Sequence, residues 1–219
     1  MVSPTAVKQE EHATGLRLRL GPELRFTDEQ FERLCRQNRD LRIEMTAEGD
    51  LILMPPTGWM TGDRNAEITM QLRLWAKRDG TGVATDSSTG FTLPNGAKRS
   101  PDAAWVLRER LAALTPEQRE GFLPLCPDFV VELRSRTDAL ADLHEKMTEY
   151  IRNGARLGWL IDPETQTVYV YRPEAEVVVL ERPMALPGDP ELPGFVLDLT
   201  EIWTPPSSEP SLPAAAPAV

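Results

Sequence analysis

Histidine is nearly absent from this 219-residue chain, with His12 and His144 the only two. That argues against a Ser-His-Asp triad and leaves no multi-histidine zinc site. Cysteine is equally scarce. Cys35 and Cys126 stand far apart, outside any metal-spaced pair, and Met1 to Gly15 lacks the apolar run of an export signal. Two reduced thiols in a cytoplasmic protein are therefore expected. No stretch approaches the ~20 apolar residues that a membrane helix needs. Neither G-x-G-x-x-G nor G-x-x-x-x-G-K-[ST] occurs, so nucleotide-binding readings have no motif to rest on. Lysine is limited to Lys8, Lys77, Lys98 and Lys146.

Carboxylate is what the chain has in supply. Asp and Glu number 34 against 24 Lys and Arg, giving a formal net charge of −10. Trimming both ends removes only Lys8, Glu10, Glu11 and Glu209 from the count, so the body stays acidic. A basic footprint is the usual mark of a nucleic-acid partner. The charge therefore opposes such a partner unless a metal and a local arginine patch face the phosphates.

One α/β domain suits the length and the 41% hydrophobic content. Residues 1–15 read as a disordered leader, 16–203 as the folded domain, and the Pro-, Ser- and Ala-rich residues 204–219 as a flexible tail. Thr27-Asp28-Glu29-Gln30 is a capping box that opens a short helix. Leu41–Met45 and Leu51–Met54 predict a hairpin turning at Glu48-Gly49-Asp50. A longer helix is expected from about Asp63 to Arg78, with Ile68, Leu72 and Trp75 at helical spacing. Short strands follow near Gly82–Thr85 and Gly90–Leu93, then an apolar strand over Pro101–Leu107 and a brief helix capped by Thr115. After the strand Asp128–Leu133 comes a helix over Thr137–Asn153, ended by Gly154. Leu157–Ile161, Thr167–Tyr171 and Glu176–Leu180 complete a sheet. Helices interleaved with a mixed sheet give an α/β sandwich.

Two carboxylates interrupt this apolar pattern. Asp102 opens Pro101-Asp102-Ala103-Ala104-Trp105-Val106-Leu107, and Glu132 breaks Phe129-Val130-Val131-Glu132-Leu133. A buried isolated carboxylate must be protonated, paired or bound to a metal. Two on separate buried strands could hold a hard cation. The plainer alternative is that each sits at a strand end, reaching solvent or an arginine. Lys146 follows on a helix whose buried stripe is Leu140, Leu143, Met147 and Ile151. At 100° per residue it lies about 90° from the centre of that stripe, so it either reaches inward or pairs with Asp142 in solvent.

These residues bring a family into view. Pro101-Asp102 followed by Val130-Val131-Glu132-Leu133-Arg134-Ser135 resembles the signature of the PD-(D/E)XK nuclease superfamily. The fuller pattern resembles one branch of it, the Uma-two family. Leu53–Gly58, Pro101–Val106, Pro127–Ser135, Lys146–Tyr150 with Asn153-Gly154-Ala155, Gly158–Pro163 and Pro193-Gly194-Phe195 carry that resemblance across roughly Thr27 to Trp203. It implies a restriction-endonuclease-like α/β sandwich, with a central mixed sheet flanked by helices. It also implies an Mg²⁺-dependent endonuclease, with Mn²⁺ able to substitute, acting on nucleic acid of which DNA is the expected form. Asp102, Glu132 and the Leu133 carbonyl would hold the metal. The superfamily lysine should stand two residues after the glutamate, where this chain has Arg134. The Uma-two pattern moves it to the next helix, which Lys146 matches, and Glu44 matches the acidic residue of the first hairpin. Glu67 is a rival for that role, and Ser135 and Tyr150 match positions of unassigned chemistry. Strand alternation puts Arg134 on the side of Glu132, so Arg134 competes with Lys146 for the cation role.

A homodimer would suit cleavage of both strands of a duplex. Two other functions fit the same residues. One is a catalytically silent module that binds nucleic acid or protein on this fold, which the acidic charge favours. The other is a carboxylate-metal hydrolase of smaller substrates.

Overall fold

A computed structural model describes residues 15–21 and 24–205. The expected leader and tail therefore lie outside the described residues, apart from Gly15, Thr204 and Pro205. Strand β1 (Leu16–Leu18) leads to helix α1 (Asp28–Gln37), where the Thr27 side chain accepts from the Gln30 N–H and the capping box is complete. The hairpin β2 (Arg42–Met45) and β3 (Leu51–Met54) precedes the long helix α2 (Trp59–Asp79). Next come β4 (Gly82–Asp86), the two-residue strands β5 (Phe91–Thr92) and β6 (Lys98–Arg99), and β7 (Ala103–Leu107). Short helices α3 (Arg108–Ala112) and α4 (Pro116–Glu120) connect to β8 (Phe129–Leu133). Helix α5 (Leu140–Arg152), β9 (Leu157–Asp162), β10 (Thr167–Tyr171) and β11 (Val178–Glu181) follow. The pair β12 (Ala185–Pro187) and β13 (Val196–Asp198) and helix α6 (Thr200–Trp203) close the domain.

The central sheet has six strands in the order β11-β10-β9-β8-β7-β4. Only β8 and β9 run parallel, and α5 is the crossover that a parallel pair requires. Alternation along the strands divides the core. Phe129, Val131 and Leu133 of β8 join Ala103 and Trp105 of β7 on the face covered by Ile68, Leu72 and Trp75 of α2. Val130, Ala104 and Val106 face Leu143, Met147 and Tyr150 of α5. Glu132 alternates onto the α5 face. Gly154, at φ +109°, supplies the left-handed residue that ends α5.

Where the sequence predicts one sheet, the structure has a second, of five strands in the order β1-β3-β2-β6-β5. Ile43, Met45 and Leu51 of this sheet pack on Phe31 of α1. That side takes the odd residues of β2, so Arg42 and Glu44 face the other way, toward the central sheet. Helix α2 also begins four residues before the expected Asp63, from Gly58, which caps it without a side-chain hydrogen bond. No described helix is long and apolar enough to cross a membrane.

Candidate active site

Both sheets and α5 contribute to one cluster of charge. Glu132 is 4% exposed in an otherwise apolar strand, and its Oε1 accepts from the Tyr150 hydroxyl at 3.0 Å. The same oxygen lies 2.9 Å from Lys146 Nζ. Lys146 sits beside the buried stripe of α5 and turns inward, because two carboxylates are there to receive it. Its second contact is Glu44 Oε1, at 3.0 Å. Glu44 is 2% exposed and also accepts the Ser100 N–H at 2.9 Å, while its Oε2 lies 3.2 Å from Arg99 Nη1. Arg99 is tied at its other end to Glu149, with Nε to Oε2 at 2.6 Å.

Asp102 lies immediately before β7. The last paired residues of β7 and β8 are Ala103 and Val131, and Asp102, next along the chain, reaches the end of β8 with its side chain, close enough for its charge to act on Glu132. The Asp102 carboxylate is fixed from three sides. Oδ2 accepts the Leu133 N–H at 2.8 Å, and Oδ1 accepts from Asn65 Nδ2 at 3.3 Å. Arg42 Nη1 stands 3.5 Å from the same Oδ1.

The electrostatics follow from burial and these partners. Burial alone would raise the Glu44 carboxyl, but Lys146, Arg99 and Arg42 outweigh it and hold it down to about 2. Burial pushes Glu132 up to about 7; Lys146 opposes the rise, while Asp102 and Glu44 add to it. Lys146 goes above its ordinary value, since Glu132 and Glu44 outweigh the burial that would lower it. Tyr150 is raised well above its usual range, first by burial and then by Glu132, which keeps its hydroxyl a donor. With Glu132 and Glu44 both beside it, Lys146 is held here as an ammonium.

Asp102, Glu132, Lys146 and Glu44 are therefore brought together, with Leu133 joined through its N–H. Arg134 is not. It lies beyond the end of β8, where Nη1 contacts Asp162 at 2.8 Å and Nε donates to the Asp138 carbonyl at 3.2 Å. Alternation had placed it beside Glu132, but the strand ends at Leu133 and the rule no longer applies. Glu67 accepts from Gln71 on its own helix, away from the cluster. The Ser135 hydroxyl pairs with Thr137. Arg42, Asn65, Arg99 and Glu149 were missed from the sequence. The one local hint was that Arg42 shares the alternation of Glu44.

The donor set itself shows whether a metal ion fits. The cluster holds four carboxyl groups (Glu44, Asp102, Glu132 and Glu149) against three cations (Arg42, Arg99 and Lys146), so with Glu132 ionised it carries negative charge that a metal ion would offset. Both contacts to Glu132 land on Oε1, leaving Oε2 outside them. Among the described residues no three His, Cys, Asp or Glu converge as a metal cage. Magnesium commonly binds through one or two carboxylates and keeps several waters, so the neighbouring Asp102 and Glu132 fit it, and a cage-demanding ion fits poorly. A cleft of about 820 Å³ between the β2–β3 hairpin and α5 has Glu44, Arg99, Lys146 and Glu149 in its walls.

Comparisons with known proteins agree with this architecture. The family model described as "Putative restriction endonuclease" matches residues 28–200. A crystal structure of a "putative nuclease" from Anabaena variabilis superposes with a TM-score of 0.68 at 22% sequence identity. The match covers 81% of this chain and 97% of that one, and at this identity it speaks to the fold. No curated protein matches the sequence.

Proposed function

The chain belongs to the Uma-two family of restriction-endonuclease-like proteins, and on that premise we propose that it is a metal-dependent endonuclease hydrolysing phosphodiester bonds of nucleic acid, DNA being the expected form. Family membership supports nuclease function as a class. The observation that carries the finer reading is the contact of Lys146 with Glu132, one strand away from Asp102. It returns a lysine to the glutamate although the position two residues on is arginine.

In this reading Asp102, Glu132 and the Leu133 carbonyl hold Mg²⁺, for which Mn²⁺ can substitute. When bound, the ion lowers the pKa of a coordinated water and offsets charge building at the phosphate. The remaining work falls to the chain. Tyr150 fixes the Glu132 carboxylate by donating to Oε1. Glu44, pinned by Ser100 and Arg99, holds the Lys146 ammonium at the site. Lys146 then donates hydrogen bonds to the attacking water or to a phosphate oxygen, stabilising negative charge where it develops. Two copies related by a two-fold axis would let both strands of a duplex be cut.

The test is cleavage of supercoiled plasmid, single-stranded DNA, RNA and small phosphodiesters with Mg²⁺ or Mn²⁺. Nicking or linearisation is expected, lost in EDTA and in Glu132→Gln. Binding without cleavage of any substrate would replace this reading with the silent module that the net charge of −10 favours. Cleavage of small diesters alone would point to a smaller-substrate hydrolase.

A further inference from the structure

Four buried side-chain polar atoms among the described residues have no hydrogen-bond partner, and two of them flank Asp102. They are Arg42 Nε and Asn65 Oδ1. Buried polar groups are almost always satisfied, so an orphan beside a reactive carboxylate calls for an explanation. Asn65 is accounted for in part, since its Nδ2 already holds Asp102.

Arg42 is less committed than the other arginines nearby. Arg99 is buried and gripped by both Glu44 and Glu149. Arg134 is held by Asp162 and the Asp138 carbonyl. Arg42 donates from Nη2 to the Ser100 carbonyl, which anchors it. Its approach to Asp102, 3.5 Å, is too long for a good hydrogen bond, and its side chain is 33% exposed. Arg42 is thus an anchored, one-third exposed side chain beside Asp102 whose Nε is buried without an acceptor and whose Nη1 has no short partner, and its planar fork matches phosphate oxygens.

We propose that Arg42 forms a phosphate-binding subsite that holds a non-bridging oxygen of the phosphodiester against the Asp102–Glu132 pair. This rests on the nuclease reading, and it adds the group that recognises the substrate's charge. Arg42 is a binding residue here, and Asn65 positions Asp102.

The experiment measures fluorescence anisotropy of a labelled DNA duplex and single strand across a salt series, with Ca²⁺ in place of Mg²⁺ and again in EDTA. Single-turnover cleavage with Mg²⁺ is followed in parallel. Arg42→Ala should weaken binding about tenfold and lower the slope of log affinity against log salt by about one, as loss of a phosphate contact does. Arg42→Lys should restore the slope and only part of the affinity, because an ammonium lacks the fork. Arg33→Ala, an exposed residue of α1, should change neither. Should alanine unfold the chain, Arg42→Gln keeps the stem and a donor for Ser100 and must show the same loss of slope. A parent that cleaves while Arg42→Ala and Arg42→Gln keep its affinity and slope overturns the subsite alone. If the parent neither binds nor cuts, the nuclease reading falls and the subsite with it. If the parent binds without cutting, a lost slope in Arg42→Ala keeps the subsite on a binding module.

Discussion

Replacing Lys146 by methionine keeps most of the side-chain stem and deletes the charge between two buried carboxylates. The cost can be worked from what each carboxylate retains. Glu44 keeps the Ser100 N–H at 2.9 Å and Arg99 at 3.2 Å, so it stays paired. Glu132 keeps only the Tyr150 hydroxyl at 3.0 Å. Breaking a buried ion pair by removing one partner costs about 3–5 kcal/mol. Only one of the two carboxylates is stranded here, so the lower end, about 3 kcal/mol, is expected. For a chain of this length that lowers the melting temperature by roughly 6–12 °C, at about 2–4 °C per kcal/mol. The cleanest assay is urea unfolding in EDTA of the parent, Lys146→Met, Glu132→Gln and the double variant. Glu132→Gln removes the stranded charge while its amide oxygen can still accept from Tyr150. The two changes should therefore couple by about 2 kcal/mol, well outside the additivity seen for independent sites. Additive effects within about 0.5 kcal/mol would refute the reasoning, because they would mean that the contact contributes nothing in solution. Single-turnover cleavage by Lys146→Met should fall ~100-fold or more, the scale on which loss of one donor to developing charge acts.

Arg134→Ala should leave cleavage close to the parent's, since Arg134 is held by Asp162, and should cost about 1–3 kcal/mol for the weakened partner of a carboxylate only 1% exposed. Cleavage lost with stability intact would hand the cation role back to Arg134. Burial pushes the Cys126 thiol up to about 12, so iodoacetamide at pH 8 should modify it only in denaturant. The half-buried Cys35, also raised by burial, should react first in the native chain. Equal rates for native and denatured Cys126 would contradict its burial.

Asp102 and Glu132 were legible because each breaks an apolar strand, and a carboxylate there needs a reason. Lys146 was half legible. Its angle on α5 allowed an inward path, yet only the tertiary arrangement shows Glu44 and Glu132 waiting for it rather than Asp142. Glu44 was visible only through the family resemblance, since Arg42-Ile43-Glu44-Met45 reads as an ordinary alternating strand with its charges in water. Strand β6 escaped notice for a related reason. Lys98 and Arg99 have the composition of a loop, but they are 1% and 7% exposed, because Asp28, Thr92, Glu44 and Glu149 satisfy them. Those partners lie up to 70 residues away, where periodicity carries no information. The early start of α2 was hidden because Pro55-Pro56-Thr57-Gly58, which ends strand β3 at Met54, leads straight into a helix capped by glycine.

The second sheet, unforeseen, bears directly on the paradox of an acidic chain proposed to act on a polyanion. It delivers Arg42 and Glu44 from β2 and Arg99 from β6 to the side where the central sheet presents Asp102 and Glu132 and α5 presents Lys146. Most of this positive charge is consumed on the spot. Arg99 answers Glu44 and Glu149, and Lys146 answers Glu44 and Glu132, which leaves the cluster anionic once Glu132 is ionised. Distant surface carboxylates matter less than their number suggests, because charges beyond the Debye length of about 8 Å are largely screened at physiological salt. What a phosphate would meet is local: the partly exposed Arg42 and the metal ion proposed for Asp102 and Glu132. A nucleic acid drawn by so few contacts would bind weakly and with a shallow salt dependence, unlike one tracked along a basic stripe. The net charge of −10 then bears on affinity and search, and does not oppose the chemistry proposed at Asp102.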